Sequence, residues 1–177
     1  MKLADLYDRI REYVRQASGL EDDHIYFQGQ SSPRNLKPCI VISLTSFKKI
    51  GQPVKKTLDA EGKQKIVSSM TCVASFKAFS DTLHEAEIML HDLYHSFDTE
   101  LRNQVFKGEI ALHRILKEVI AIPKAIDSQH EGFSVFDAEF SFLITHEQNT
   151  GIIEKVEISE TIEHAGQENT EEYTISR

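Results

Sequence analysis

The sequence predicts an α+β fold: a mixed, mainly antiparallel β-sheet flanked by an N-terminal helix and a central amphipathic helix. Two stretches, 3–14 and 83–97, carry apolar residues at helical spacing. Three others, 38–44, 65–78 and 133–145, alternate in strand fashion or are dense in β-branched residues. The 177 residues are enough for one domain with an appendage. A chain of this size buries about 70% of its unfolded surface and needs no staples.

Each element has its own signature. Leu3, Leu6, Tyr7, Ile10, Tyr13 and Val14 fall on one face of a helix, and Asp5, Asp8, Arg9, Arg11, Glu12 and Arg15 on the other. Gly19 is the expected stop, because glycine accepts the left-handed conformation at a helix end. Residues 25–28 suit a short strand, and 29–38 a loop punctuated by Gly, Ser, Pro and Asn. Pro38 to Leu44 reads as a buried strand, and 65–78 as a long one with Ser68, Met70, Cys72, Ala74, Phe76 and Ala78 sharing a face. Ser80 and Asp81 are the expected caps of the helix that follows, whose stripe is Leu83, Ala86, Leu90, Leu93, Tyr94 and Phe97. A short helix over 99–105 ends by Gly108.

The later elements are less regular. Residues 110–122 fit strand or helix equally, with Pro123 limiting a helix. Residues 133–145 alternate clearly and are expected to pair with 152–159 as a hairpin around Asn149-Thr150-Gly151. The domain is expected to span 1–162. Residues 163–177 lack apolar periodicity and are expected to be an acidic, disordered tail.

Composition excludes several classes. Hydrophobic residues make up 40% and charged residues 27%, which excludes collagen, a disulfide mini-protein and a wholly disordered chain. The net charge of −8 speaks against a phosphate-gripping domain. That charge is unevenly placed. From Glu157 onward there are six glutamates and one arginine, whereas 48–65 holds six lysines against Asp59 and Glu61. Cys39 and Cys72 sit in apolar runs and are expected to be buried free thiols. The N-terminus lacks a signal-peptide pattern, and no run of about 18 apolar residues suggests a membrane span. The expectation is a soluble intracellular protein with no membrane partner.

Catalytic chemistry finds little support. Glu87, His91 and His95 lie at i, i+4 and i+8, a spacing that can hold zinc. They fall beside the apolar stripe, however, where polar residues belong, and Asp92 rather than Glu follows His91. There is no nucleophile elbow and no glycine-rich phosphate loop. No catalytic residue, metal ligand or cofactor is assigned. The stronger candidates are Lys48, Lys49, Lys55, Lys56, Lys63 and Lys65, in a hairpin or mobile loop. Either they are solvated charges that keep a β-edge from aggregating, or they are contacts for an acidic partner or a second copy of the chain.

The order of features resembles a known family. Pro38-Cys39-Ile40-Val41-Ile42 is followed by Ser75-Phe76-Lys77-Ala78-Phe79-Ser80 running into a helix with Glu85-Ala86. Glu131-Gly132-Phe133, Phe136-Asp137-Ala138-Glu139-Phe140 and Ile152-Ile153-Glu154-Lys155-Val156-Glu157-Ile158 follow. This resembles the neck and tail terminator proteins of tailed bacteriophages and prophages, over roughly Leu3 to Ile162. Here Ser134-Val135-Phe136 stand between Phe133 and Asp137, splitting the Gly-Phe-Asp string of that family.

The resemblance implies a tail-terminator-like fold and structural rather than enzymatic work. It implies a ring, commonly hexameric, that caps the tail tube and joins it to the head–tail connector. The partners implied are the chain itself, the tail tube protein and the connector protein. DNA passes through the lumen without specific binding. The protein would be assembled in the bacterial host cytoplasm and reside in the virion. Another head- or tail-completion protein, or a small α+β enzyme of unrecognised type, remains an alternative on the sequence alone.

Overall fold

In a computed structural model that describes residues 1–29, 36–59, 62–126, 129–149, 155–164 and 167–176, helix α1 spans Leu3–Ser18. The Lys2 amide donates to the Asp5 carboxylate at 2.7 Å, closing the first turn. Gly19, at φ 69°, ends the helix as its spacing predicts, with its N–H on the Arg15 carbonyl. Leu6, Ile10, Tyr13 and Val14 are buried, while Leu3 is largely exposed.

A five-stranded sheet has the order β1-β2-β3-β5-β4. Its strands are β1 (Ile25–Phe27), β2 (Cys39–Leu58), β3 (Lys63–Phe79), β4 (Ile110–Ile126) and β5 (Gln129–Asn149). β1 pairs with β2 in parallel, through Ile25 to Phe27 against Ile40 to Ile42. Only four residues link β2 to β3, so the two must be antiparallel, because a parallel link needs a crossover. β4 and β5 are antiparallel from Ile110 opposite Phe142 to Ile126 opposite Gln129. The predicted mixed, mainly antiparallel α+β class is therefore what the chain adopts.

Helices α2 (Leu83–Ser96) and α3 (Glu100–Phe106) lie between β3 and β4 in the chain. The cap of α2 is Thr82, not the predicted Ser80 or Asp81: the Thr82 hydroxyl accepts from the Glu85 amide at 3.2 Å. Ser80 instead donates to the Glu85 carboxylate at 2.8 Å. Thr82 wins because its hydroxyl stands three residues before an amide that the helix leaves free.

The core lies between the helices and one sheet face. Cys72, Ala74, Phe76 and Ala78 of β3 and Phe136, Ala138 and Phe140 of β5 are all fully buried there. These are the alternate positions that the period-two pattern selects. The rings of Phe76 and Phe136 stack at 4.9 Å, and Phe97 packs on both strands. At about 25 cal/mol per Å² of apolar surface removed from water, such a cluster dominates the fold's stability.

Two pairings correct the sequence reading. The expected partner of 133–145 was 152–159, but β5 pairs with β4. The tight link decides this, since only residues 127 and 128 separate β4 from β5. Strand β6 (Lys155–His164) pairs instead with β7 (Gln167–Ser176), antiparallel and across an equally short link. The predicted boundary at 162 thus falls inside β6. Beyond it, where the sequence predicts no fold, the described backbone continues as strand to Ser176. The predicted turn at 149–151 lies largely outside the described residues.

The chain divides into two compact units: Met1–Val54 with Val67–His146, and Lys55–Ile66 with Glu147–Arg177. The first holds the helices and the aromatic core. The second holds the β2–β3 connection and the β6–β7 pair. Among the described residues, no helix is long and apolar enough to cross a membrane.

Candidate assembly surface

The lysine-rich stretch 48–65 is strand for most of its length. β2 begins in the core at Cys39, Ile40 and Ile42 and then emerges, so that Thr45 to Gln52 are exposed. Two residues there take left-handed backbone angles, Ser46 at φ 53° and Gly51 at φ 66°. Such positions break regular pleating and bend the strand. Pro53 follows, a residue that sheets tolerate at an edge. At the far end Asp59 closes the connection: its amide donates to the Lys63 carbonyl at 2.9 Å, and its carboxylate accepts from the Lys63 amide at 2.8 Å.

The six lysines are divided between the two compact units. Lys48 and Lys49 belong to the first unit, and Lys55, Lys56, Lys63 and Lys65 to the second. All six are exposed. Adjacent lysines in a strand lie on opposite faces, so each of the pairs 48/49 and 55/56 puts charge on both sides. Lys65 meets Glu147 at 3.6 Å, with both side chains more than half exposed. A pair so exposed contributes little to stability. Lys48, Lys49, Lys55 and Lys56 have no ion-pair partner among the described residues.

Sequence patterning misses the apolar half of this surface. Phe47, Ile50 and Val54 are exposed by 37, 49 and 64%. Their exposure follows from the emergence of β2 from the core. Phe47 retains an edge-on contact with Phe142, ring centroids 6.4 Å apart. The outer part of β2 thus sets three exposed apolar residues among exposed lysines.

Other candidate chemistry is placed as follows. His84, His91 and His95 lie exposed on α2, the last two with ring centroids 6.0 Å apart. Among the described residues, no three His, Cys, Asp or Glu side chains stand close enough to hold a metal. A groove of about 650 Å³ opens beside α1 and α3, lined in part by Asp5, Arg9, Glu12 and Lys107. Two of its charges are engaged within the chain. Glu12 bonds Arg15 and Gln16, which hold its carboxyl down at about 2. Arg9 bonds the Val105 carbonyl at 2.9 Å and Glu109 at 2.8 Å.

Comparison with known protein families matches residues 4–170 to the phage neck terminator proteins. The chain belongs to that family. No curated protein matches it. A phage neck terminator is a structural protein of the virion neck, and its neighbours are other phage tail and head proteins. For this neck terminator the surfaces of interest are therefore those that meet other phage proteins, and the outer part of β2 exposes both apolar and basic residues. Cys39 and Cys72 are free and buried, as their apolar runs predict.

Proposed function

We propose that this neck terminator closes into a hexameric ring that caps the tail tube and forms the neck joint to the head–tail connector. The observation that carries the reading is the exposure of Phe47 to Gln52 and of Val54 on the outer part of β2, on a protein whose family works at the phage neck. A ring reuses one contact at every subunit boundary, so a single exposed strip serves all of them. Lys48, Lys49, Lys55, Lys56, Lys63 and Lys65 supply the cationic side of that contact or of the contact with the tube. DNA passes the lumen without being gripped, in keeping with the net charge of −8. Assembly takes place in the bacterial cytoplasm, and the finished ring resides in the virion.

Native mass spectrometry and electron microscopy, with and without purified tail tubes, test this reading. Six-membered rings, or rings seated on tube ends, are the expected result. A protein that stays monomeric and leaves tubes uncapped overturns it. Changing Lys48, Lys49, Lys55 and Lys56 together to glutamine should weaken assembly by about ten- to a hundredfold, taking a few tenths of a kcal/mol or more per exposed charge. Unchanged assembly with unchanged salt sensitivity removes the lysines from the contact.

A further inference from the structure

The outer part of β2 has two unlike faces. Between the left-handed Ser46 and Gly51, residues 47–50 are regular strand. Their side chains therefore alternate, with Phe47 and Lys49 on one face and Lys48 and Ile50 on the other. Phe47 retains its contact with Phe142. Ile50 is 49% exposed, and Lys48 has no ion-pair partner among the described residues. Two positions along a strand put them about 7 Å apart. This face thus sets a cation beside an aliphatic side chain, both uncovered in the single chain.

Its complement stands on α2, in the same compact unit. Ile88 is 47% exposed, on the side of the helix away from the buried Ala86, Leu90 and Leu93. Glu85 comes three residues before it and Asp92 four after, so both neighbour it on the helix surface. A pocket of about 240 Å³ opens there, lined by Ser18, Glu85, Ile88, Met89 and Asp92. Asp92 is exposed and has no ion-pair partner among the described residues. Glu85 accepts a hydrogen bond from the Ser80 hydroxyl and stays exposed. Among the exposed large apolar residues described, Ile88 is the one with an acid on either side along its own surface. Ile88 and Asp92 are about 6 Å apart, close to the separation of Ile50 and Lys48. We infer that the Lys48–Ile50 face of one copy docks on α2 of the next copy, Ile50 against Ile88 and Met89, and Lys48 against Asp92. An apolar contact rimmed by opposite charges is the ordinary anatomy of a protein interface. The two surfaces differ, which makes the contact heterologous. Heterologous contacts produce rings when the rotation closes, whereas self-complementary ones produce dimers. The inference rests on the ring reading above and names the contact that closes it.

Zero-length carbodiimide crosslinking tests the contact, because it joins only carboxylates and amines that touch. Full-length protein, half of it labelled with ¹⁵N, is assembled in solution or on tail tubes and then crosslinked. Isotopically mixed peptides joining Lys48 to Asp92 or Glu85 are expected. Their absence, or mixed peptides that join Lys49 in place of Lys48, overturns the inference. A charge exchange guards against misfolding. Asp92→Lys should weaken assembly at least about tenfold through repulsion. Adding Lys48→Glu should restore it, whereas adding Lys49→Glu, on the opposite face, should not. Failure of the first rescue, or equal rescue by both, counts against the contact. If the unmodified protein forms rings and either test fails, this contact falls and the ring reading stands. If the unmodified protein neither forms rings nor caps tubes, both fall.

Discussion

The Tyr13 hydroxyl lies 2.6 Å from the Ser96 hydroxyl, joining the middle of α1 to the last residue of α2. Ser96 has one proton, and it is directed at the Leu93 carbonyl, also at 2.6 Å. Tyr13 is therefore the donor and Ser96 the acceptor. The Tyr13 ring stacks on Phe97 at 4.8 Å and tilts against Phe106 at the same distance. One fully buried side chain thus binds three helices together, with apolar area over the ring and a satisfied polar tip.

Tyr13→Phe keeps the ring and removes the donor. The expected loss is about 1 kcal/mol in urea unfolding, against about 3–5 kcal/mol for Tyr13→Ala. The variant also has a pH signature. Burial, opposed by the Ser96 hydrogen bond, pushes the Tyr13 hydroxyl from 10.0 up to about 12. A raised folded value means that this contribution is complete below pH 10 and is lost as pH rises from 10 to 12. Tyrosinate absorbance should show a late step near 12 that is missing in Tyr13→Phe. A wild type with no such step contradicts the burial argument.

Thr82→Ala should cost about 1 kcal/mol, because the Glu85 amide in the first turn of α2 loses its acceptor. Asp81→Ala, at the neighbouring exposed position, should stay within about 0.5 kcal/mol of wild type. Chemical denaturation of the two variants gives the comparison. The reverse order would return the cap to the position that sequence alone suggests.

What the sequence could and could not convey follows from how each element is held. The buried sides of α1 and β3 were readable because their apolar residues keep the helical and strand periods without interruption. β4 was not, because its register shifts between Leu112 and Arg114, Ile115 and Lys117, and Lys117 and Ile120. Each shift moves the apolar residues out of alternation, so Leu112, Ile115 and Val119 pack on the core at helix-like spacing. Arg9 and Arg11 read as solvent-facing charges. Arg11 in fact donates to the Asp22 and Ile25 carbonyls at 2.9 and 3.0 Å, and Arg9 to the Val105 carbonyl. Composition reports the charge of a residue but not the carbonyl that comes within its reach. At the candidate site the lysines were visible from charge alone. The exposure of Phe47, Ile50 and Val54 was hidden, because a strand leaving the core keeps the same alphabet as one inside it.

Ser134 is fully buried, and its hydroxyl has no hydrogen-bond partner among the described residues. A buried hydroxyl without a partner carries its full desolvation cost. Ser134→Ala should therefore leave stability unchanged or raise it by up to about 1 kcal/mol. Two residues along, Phe136→Ala should lose about 3–5 kcal/mol, since its ring meets Phe76, Tyr94 and Phe97. Thermal unfolding of both variants checks the contrast. A clear loss in Ser134→Ala would mean that the hydroxyl has a partner after all.

The two cysteines should be inert in the folded chain. Burial pushes the Cys72 thiol up to about 12, helped by the charge of Glu139, and burial also raises Cys39 against the opposing charge of Lys37. Thiol reagents attack through the thiolate, so both burial and a raised pKa slow the reaction. At pH 8 the native protein should yield almost no colour with an aromatic disulfide reagent, whereas protein unfolded in guanidinium should yield both thiols at once. Rapid modification of either residue in the native state would show that its strand opens, and Cys72 is the more informative because it lies between Phe76 and Met70 on the core face of β3. A Cys72→Ser variant should lose about 1–3 kcal/mol, the cost of burying a hydroxyl where a thiol packed as a small hydrophobe.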